Sequence, residues 1–268
     1  MTLRRLARDA VYQLGLASLF FRLSEWRLSR SAAAAPAADE GGVPIPPPYL
    51  MTLVAGHADW RAFLQSGEAH AKAFASHAAA ACLSFETAGR ILDFGCGCGR
   101  ILRHLPKMTN AALYGADYNP LLLRWCAKNL SGEFSRNRLR PPLSYPDAHF
   151  DIVYLLSVFT HLRIATQREW LEELWRVTRP GGLVLATFHD EDHAGLPDLE
   201  EARVSLKETG VFVYNDRAEG SNLIATFQSR DFSRRLFTER FDVVSIVPSR
   251  DSGLGQALAV LKKKEAAT

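Results

Sequence analysis

The stretch ILDFGCGCG at residues 91–99 constrains the fold of this chain more than any other feature. A short, mostly apolar run predicts a buried strand over Arg90–Phe94, and the alternating glycines predict a sharp turn directly after it. Because glycine has no Cβ, the backbone of such a loop approaches a ligand closely, and a helix after it directs free N–H groups into the same space. The stretch therefore predicts a ligand-binding loop at the end of a strand.

Strands and helices alternate after this loop. Apolar runs predict further strands over residues 111–116, 150–158 and 182–188. Helical patterns separate these strands, with a short helix ending at Leu105 and longer ones over residues 120–130 and 167–177. Near-continuous apolar strands separated by helices predict an α/β fold with a parallel sheet covered on both faces.

The last third of the chain follows a different order. Helices are predicted over residues 198–209 and 231–238, and strands over 241–247 and 257–261. The turn between these two strands is short and contains Gly253 and Gly255. Since a short turn joins only antiparallel neighbours, we expect the sheet to end in an antiparallel hairpin.

The composition excludes several classes of protein. The 268 residues are 47% hydrophobic and 23% charged, as in a soluble globular protein and unlike a disordered chain, a collagen or a disulfide scaffold. No run of about 18 apolar residues is present, so no membrane-spanning helix is predicted. The four cysteines lack the repeated pairs of a zinc site, and we expect free thiols, no metal and a cytoplasmic location.

The N-terminal segment differs in charge from the rest of the chain. The net charge of the chain is +3, and residues 1–30 carry six arginines against two acids. The excess positive charge therefore lies in this segment. Because the rest of the chain is not basic, nucleic acid is not expected as a partner of the main domain. Residues 3–28 have the period of an amphipathic helix, which fits peripheral contact with the inner membrane surface, docking to a partner, or cover for the chain's own core. A signal peptide is disfavoured by the charges that follow the apolar run. Residues 31–48 are a Pro/Ala/Gly-rich linker, and residues 49–268 form the main domain.

Asp117 is the second feature that points to a ligand. It ends the second predicted strand, where an acid can accept hydrogen bonds from both hydroxyls of a ribose. A helix cap is the alternative role, for which Asn119 competes because it directly precedes a proline. Together with the glycine loop, Asp117 favours a nucleoside ligand.

The charge of the loop indicates which nucleoside. Arg100 stands where the dinucleotide pattern G-x-G-x-x-G requires a third glycine. Asp93, at the start of the loop, would repel a pyrophosphate and attract a cation. S-adenosylmethionine (SAM) carries both a sulfonium and an ammonium group, so the loop favours SAM over a nicotinamide dinucleotide.

With these motifs in place, the sequence resembles the class I (Rossmann-like) SAM-dependent methyltransferases over roughly residues 90–262. The resemblance is carried by the D-x-G-x-G-x-G loop at 93–99, the acid at 117, FDIV at 150–153 and RPGG at 179–182. It implies a seven-stranded sheet. The stretches FLQSG (63–67), DYNP (117–120) and SVFTHL (157–162) resemble a bacterial subgroup of the methyltransferase type 11/25 kind, which is associated with sugar and cell-surface polysaccharide genes.

The resemblance also implies a cofactor site for SAM, with S-adenosylhomocysteine as the product. Its residues are Asp93, Gly95, Cys96, Gly97, Gly99, Asp117, Tyr118, Asn137, Ser157 and Val158. Asp93 and the loop glycines would line the methionine end, and Asp117 would hold the ribose with Tyr118 packed on the adenine. Asn137 stands where the family often has an Asp that contacts the adenine amine.

Methyl transfer requires little chemistry from the protein. The reaction is an in-line displacement on an activated carbon, so alignment and exclusion of water supply most of the acceleration. A hydroxyl acceptor also requires a general base, for which His161 and His189 are candidates at strand ends; packing is the alternative role of both. The run HDEDH at 189–193 is interpreted as a solvated loop rather than a metal site.

These observations predict a SAM-dependent methyltransferase with an N-terminal helical extension, acting on a small-molecule or saccharide-like acceptor, at oxygen. Two alternatives remain open at this point. One is a non-catalytic SAM-fold binding or scaffold module, and the other is a nicotinamide-dependent oxidoreductase. The oligomeric state is not indicated by any feature of the sequence.

Overall fold

A computed structural model describes residues 35–264, apart from 194, 198, 217, 218 and 222. The predicted helix over residues 3–28 lies outside this range. The chain divides into two compact units, residues 1–66 and 67–268, and the predicted division into helix, linker and main domain stays a prediction. Among the described residues, no helix has both the length and the apolar character needed to cross a membrane.

The first unit contains helix α1 (Pro48–Ala55) and the start of helix α2 (Trp60–Ala80). Helix α1 begins at a proline, whose fixed φ suits a first helical position, and stops at Gly56 with a left-handed φ of 74°. The carboxylate of Asp59 accepts the backbone N–H groups of Arg61 and Ala62, which stabilises the start of α2.

The second unit is built on a seven-stranded sheet of order β3-β2-β1-β4-β5-β9-β8. Its strands are β1 (Arg90–Phe94), β2 (Ala112–Asp117), β3 (Glu133–Arg136), β4 (Phe150–Leu155), β5 (Thr178–Phe188), β8 (Asp242–Val247) and β9 (Ala257–Lys262). Helices α3 (Pro120–Asn129), α4 (Ile164–Val177), α5 (Glu200–Glu208) and α6 (Arg230–Thr238) lie between them in sequence. A separate hairpin joins β6 (Val211–Tyr214) to β7 (Ala225–Gln228).

The predicted arrangement of the sheet is confirmed. Strands β1 to β5 pair in parallel, and β9 pairs antiparallel with both β5 and β8. After β3 the chain returns to the other side of β1 and forms β4. This reversal leaves a crevice at the carboxyl ends of β1 and β4, which is where open α/β sheets bind ligands.

The sheet is buried on both faces, which explains its continuous apolar strands. Along β4, Val153 and Leu155 belong to one hydrophobic core, which includes Trp170 of α4, whereas Ile152 and Tyr154 belong to the opposite core. The alternation follows from the two-residue period of a strand. Both cores therefore hold the carboxyl ends of the strands in fixed positions.

The motifs at 150–153 and 179–182 lie at the other edge of the sheet. The carboxylate of Asp151 accepts the N–H groups of Gly89 and Arg90 at 3.0 and 2.8 Å and pairs with Arg179 Nε at 2.5 Å. A Cβ added to Gly182 would lie 2.8 Å from Asp151 O, so only glycine fits there. These residues therefore fix where β1, β4 and β5 begin and take no part in the site at the opposite edge.

Several element predictions differ from the structure. Strand β3 and the β6–β7 hairpin were not predicted, because each strand has only four residues and β3 is half-exposed. Strand β4 ends at Leu155 rather than at 158, because Ser157 adopts a left-handed φ of 61° that no strand accommodates. The short helix after the glycine loop is a 3-10 helix over Leu102–Lys107 that contains Pro106.

Gly67 provides a test of the packing of α2. Alanine usually stabilises a helix relative to glycine by up to about 1 kcal/mol. A Cβ at position 67 would lie 2.1 Å from the carbonyl oxygen of Arg100, which is backbone and cannot move aside cheaply. We therefore expect Gly67→Ala to lower the free energy of unfolding by about 1–3 kcal/mol in chemical denaturation. The exposed Ser76→Ala, in the same helix, should change it by less than about 0.5 kcal/mol; equal effects of the two substitutions would contradict the clash.

Candidate functional site

The glycine loop after β1 is held against the end of β2. The N–H groups of Gly95 and Cys96 both donate to Ala116 O, at 2.7 and 3.1 Å. Gly95, Gly97 and Gly99 have φ values of 82°, 56° and 72°, in the left-handed region that favours glycine. A Cβ at Gly95 would lie 2.4 Å from Val158 Cγ2, so a larger residue would displace the segment after β4. The loop therefore requires glycine for both its conformation and its contacts.

Asp117 closes the loop from the side of β2. Its Oδ2 accepts the N–H of Gly97 at 2.9 Å and its Oδ1 accepts the N–H of Asn119 at 2.8 Å. Asn119 itself caps α3 through the N–H of Leu121, so Asp117 is not used as the helix cap. Burial raises the pKa of Asp117, and these backbone donors oppose that effect. Each carboxylate oxygen keeps a further lone pair that a ligand hydroxyl could use.

Asp93 is a buried acid beside this loop. It is 3% exposed and pairs in register with Gly115 of β2 and Tyr154 of β4. Burial, together with the nearby Asp117, raises the pKa of Asp93 to about 7, although Tyr154 and Arg100 act in the opposite direction. Tyr154 Oη makes no hydrogen bond of standard geometry within the described part of the chain. A carboxyl group in this state gains most from a ligand that carries positive charge.

The cysteines around the loop are packing residues. Cys96, Cys98 and Cys126 are buried, and all four cysteines are free thiols, as predicted. The Cys126 thiol donates to Gly97 O at 3.3 Å. A hydrogen bond with Cys126 and burial raise the pKa of Cys96, and burial raises that of Cys98. Thiols in this state are poor nucleophiles, so they support the loop without reacting.

Asn137 follows β3 and extends the site beyond Asp117. Its backbone N–H donates to Asp117 O at 3.1 Å, and its Nδ2 donates to Arg138 O at 2.8 Å. Its Oδ1 is buried and has no hydrogen-bond partner among the described residues. Tyr118, which is 51% exposed, follows Asp117 directly. An unused buried acceptor at this place fits a ligand amine.

Ser157 and Val158 follow β4 on the other side of the crevice. The N–H of Ser157 donates to Thr187 Oγ1 at 2.8 Å, and its Oγ accepts a hydrogen bond from the amide nitrogen of Gln256. These contacts hold Ser157 in its left-handed conformation, which a serine rarely adopts. Val158 is thereby kept against Gly95.

The structure brings His161 and His189 into one cluster with His193. Burial, His193 and His161 together lower the pKa of His189 to about 3, and burial lowers that of His161. The rings of His189 and His193 are 3.9 Å apart. Because His161 Nδ1 lies 3.1 Å from the carbonyl oxygen of Ile224, it carries the proton and leaves Nε2 as an acceptor. Both predicted catalytic histidines are therefore neutral at pH 7.

The acidic run after His189 forms an ion-pair cluster. Arg230 pairs with Asp190, Glu191 and Asp192 at 2.7, 3.1 and 2.8 Å. Within the described ranges, no group of three or more His, Cys, Asp or Glu side chains is arranged to hold a metal ion. These carboxylates therefore serve to hold the loop after β5 against the start of α6.

A sheet of this order, with an acid at the end of β1, an acid at the end of β2 and a glycine loop between them, has the Rossmann-like fold of the class I SAM-dependent methyltransferases. Residues 91–182 match a family model described as a methyltransferase domain. The predicted fold class is thereby confirmed, and the match over this third of the chain supports the predicted methyltransferase class. SAM stays the predicted cofactor. The narrower bacterial subgroup stays a prediction.

Two curated proteins are similar to parts of the chain. Sterol 24-C-methyltransferase erg6 from Aspergillus fumigatus is 28% identical over 131 residues, which are 44% of this chain and 33% of that protein. The tRNA N(3)-methylcytidine methyltransferase trm140 from Schizosaccharomyces pombe is 23% identical over 188 residues, which are 65% of this chain and 56% of that protein. The chain thus spans between a third and somewhat over half of the length of these relatives.

Solved structures share the fold at low sequence identity. The glycopeptide N-methyltransferase MtfA, solved with SAM, has a TM-score of 0.53 and 14% identity over 74% of this chain and 94% of that chain. The SAM-bound aminopentose methyltransferase CalS10 from Micromonospora echinaspora has a TM-score of 0.53 and 17% identity over 74% and 92% of the two chains. At these identities the similarity establishes the fold alone.

The ten predicted cofactor residues follow β1, β2, β3 and β4 or end those strands, so all lie at the carboxyl edge of the sheet. Sequence reasoning did not find Gln256 and Thr187, which hold Ser157 in place. Neither residue belongs to a motif. Only the pairing of β9 with β5 reveals that Gln256 reaches the segment after β4.

The raised pKa of Asp93 predicts how stability depends on pH. Between about pH 4 and 7 the folded protein retains a proton on Asp93 that the unfolded chain has released, because its pKa rises from 3.8 to about 7. The wild-type protein therefore loses stability as the pH rises through this window. Asp93→Asn does not titrate and should have a free energy of unfolding higher by roughly 2–4 kcal/mol at pH 8.

Chemical denaturation of both proteins at several pH values tests this expectation. The difference should disappear near pH 3.5, where the wild-type carboxyl group is largely protonated in both states. A constant difference between the two proteins across this range would show that Asp93 is not the group that titrates.

Proposed function

We propose that this chain binds SAM at the β3–β2–β1 half of the carboxyl edge and transfers its methyl group to a small-molecule or saccharide-like acceptor, at oxygen. The observation that carries the proposal is the pair of buried carboxyl groups, Asp93 and Asp117, on either side of a loop that only glycine permits. A dinucleotide would place its pyrophosphate beside Asp93, whereas SAM would place a cationic group there. Asp117 would accept the ribose hydroxyls of either ligand.

The contacts of each residue support one role in cofactor binding. Asp117 retains lone pairs for the ribose hydroxyls, and the unpartnered Oδ1 of Asn137 suits the adenine amine. Asp93 suits the ammonium of the methionine moiety because its carboxylate is desolvated. Tyr118 is exposed next to Asp117 and would cover the adenine ring. Val158, in contact with Gly95, would flank the sulfonium.

In this proposal the residues after β4 and β5 serve the transfer. SAM, when bound, supplies an activated methyl carbon. Ser157 and Val158 orient the donor and exclude water at the crevice. The neutral imidazole of His161 would accept the proton of an acceptor hydroxyl, which is chemistry that a protonated imidazole could not perform. His189, whose pKa is lowered to about 3, is a much weaker base and would accept a hydrogen bond from the acceptor.

The names of similar proteins bear on the acceptor class. Solved neighbours include methyltransferases whose names specify an aminopentose and a glycopeptide, which favours a saccharide-like acceptor. The curated relatives act on a sterol and a tRNA, so an absence of nucleic-acid substrates stays a prediction. A non-catalytic SAM-binding module and a nicotinamide-dependent enzyme are the alternatives that experiment must separate.

Titration calorimetry with SAM, S-adenosylhomocysteine and NAD tests the cofactor. We expect micromolar binding of the first two and none of NAD. Asp117→Ala should weaken SAM binding by about 10- to 100-fold, because it removes hydrogen bonds to a charged acceptor. The exposed Glu86→Ala is the control and should bind as the wild type does.

Transfer of labelled methyl groups from SAM to candidate acceptors then separates an enzyme from a binding module. Preferential binding of NAD would contradict the proposal at its first step. SAM binding without methylation of any acceptor, tRNA included, would favour the binding module. Methylation of tRNA alone would overturn the proposed acceptor class.

Peripheral membrane binding through residues 3–28 is a separate proposal, supported by the arginines opposite the apolar face of that segment. In sedimentation with vesicles that contain anionic lipid, the full chain should pellet more than a chain that begins at Val43. The difference should shrink as salt screens the charges. Equal pelleting of the two chains would argue against a membrane role.

A further inference from the structure

Gln256 lies next to the site although it is distant in sequence from every motif. The antiparallel register of β5 and β9 ends with Phe188 opposite Ala257. His189 follows Phe188 and Gln256 precedes Ala257, so these two residues face each other across the end of the strand pair. The structure thereby places a glutamine beside a predicted catalytic histidine.

The side chain of Gln256 crosses the carboxyl end of β5. Strands β4 and β9 flank β5 on opposite sides, and the Gln256 amide nitrogen donates to Ser157 Oγ beyond the end of β4. Thr187, the penultimate residue of β5, accepts the N–H of Ser157 at 2.8 Å. The amide is therefore fixed above the end of β5, the neighbour of β4, and β4 borders the crevice.

Two buried polar side-chain atoms are left without a partner at this place. Gln256 Oε1 and His189 Nδ1 are both buried, and neither has a hydrogen-bond partner among the described residues. Leaving such a group unsatisfied costs about 1–3 kcal/mol, so native structures rarely contain two together without a ligand or water to bind them. Gln256 Oε1 can only accept, and His189 Nδ1 accepts in the tautomer that carries its proton on Nε2. In that tautomer the pair selects a ligand that presents O–H or N–H groups.

The neighbouring charged and titratable groups do not satisfy these two acceptors. His193 Nδ1 accepts the N–H of Gly195 at 2.8 Å, and His161 Nδ1 is used on Ile224 O. The guanidinium of Arg230 is engaged by Asp190, Glu191 and Asp192. Among the residues described, the cationic side chain at this place is therefore already paired and is not available to an anionic ligand.

We propose that Gln256 is a specificity-determining residue, which together with His189 binds adjacent donor groups of the methyl acceptor and selects neutral polyols and amino sugars over sugar acids. This inference rests on the proposed function and specifies its substrate class. A vicinal pair of hydroxyls, or a hydroxyl beside an amine, offers one donor to each acceptor atom. A carboxylate has no proton to donate and would face two acceptor atoms.

The test measures binding to the full chain saturated with S-adenosylhomocysteine, by calorimetry or by saturation-transfer NMR. The probes are a methyl hexopyranoside, its 2-amino-2-deoxy counterpart and its uronate, which share one ring skeleton. We expect the neutral and amino sugars to bind and the uronate to bind at least 10-fold more weakly. Equal binding of all three probes, or no binding of either donor-rich sugar, would overturn the inference.

Variants at position 256 separate recognition from a structural role. Gln256→Leu should weaken binding of the neutral sugar by about 10- to 100-fold, and by more than it weakens binding of S-adenosylhomocysteine, which depends on Gln256 only through Ser157. Gln256→Glu keeps acceptor oxygens and adds a negative charge, so it should shift the preference between amino and neutral sugar by about 10-fold toward the amino sugar. The exposed Gln65→Leu is the matched control.

The cofactor measurements distinguish the possible failures. If the wild type binds neither SAM nor S-adenosylhomocysteine, the proposed function fails. If it binds both and Gln256→Glu leaves the sugar preference unchanged, only the role of Gln256 is overturned. Thermal melting identifies a variant that fails to fold, and the preference among the three probes on the wild-type protein still decides the substrate class.

Discussion

The hydrogen bond from the N–H of Gly97 to the carboxylate of Asp117, at 2.9 Å, is the contact on which the rest of the site depends. It ties the loop after β1 to the end of β2, and the bonds to Ala116 O strengthen the same connection. The loop can make these contacts only because its glycines adopt left-handed φ values. With the loop closed, Asp93 is enclosed without a strong partner. Ionisation of the buried Asp93 carboxyl group is therefore unfavourable, and a cationic ligand beside it would stabilise the carboxylate.

The carboxyl edge of the sheet divides at the crevice between β1 and β4. On the side of β1, β2 and β3, backbone N–H groups and two acids define the surface. On the side of β4, β5 and β9, side chains define it: Ser157, His189 and Gln256. The first surface depends on the conformation of one loop, whereas the second depends on residues from three strands. A change of ligand on the second surface therefore requires few changes elsewhere.

The sequence predicts the first surface far better than the second. The loop at 93–99 and Asp117 are local patterns in which residue type and spacing carry the information. The proximity of His161 to His189 depends on where the β6–β7 hairpin lies, and that hairpin consists of two four-residue strands without a clear alternation. The position of Gln256 depends on an antiparallel register, which no local pattern fixes. The left-handed Ser157 also shortened β4 relative to its apolar run.

The anchoring of Asp151 at the far edge of the sheet has a consequence for how such chains diversify. Asp151, Arg179 and Gly182 fix the beginnings of three strands, about one strand length away from the proposed ligand site. The segment that matches the family model, residues 91–182, includes these anchors and the glycine loop but ends before His189 and Gln256. A match over that segment therefore includes His161 but leaves out His189 and Gln256, the two residues proposed to select the acceptor. The anchors that fix the sheet and the residues proposed to select the acceptor can therefore change independently of each other.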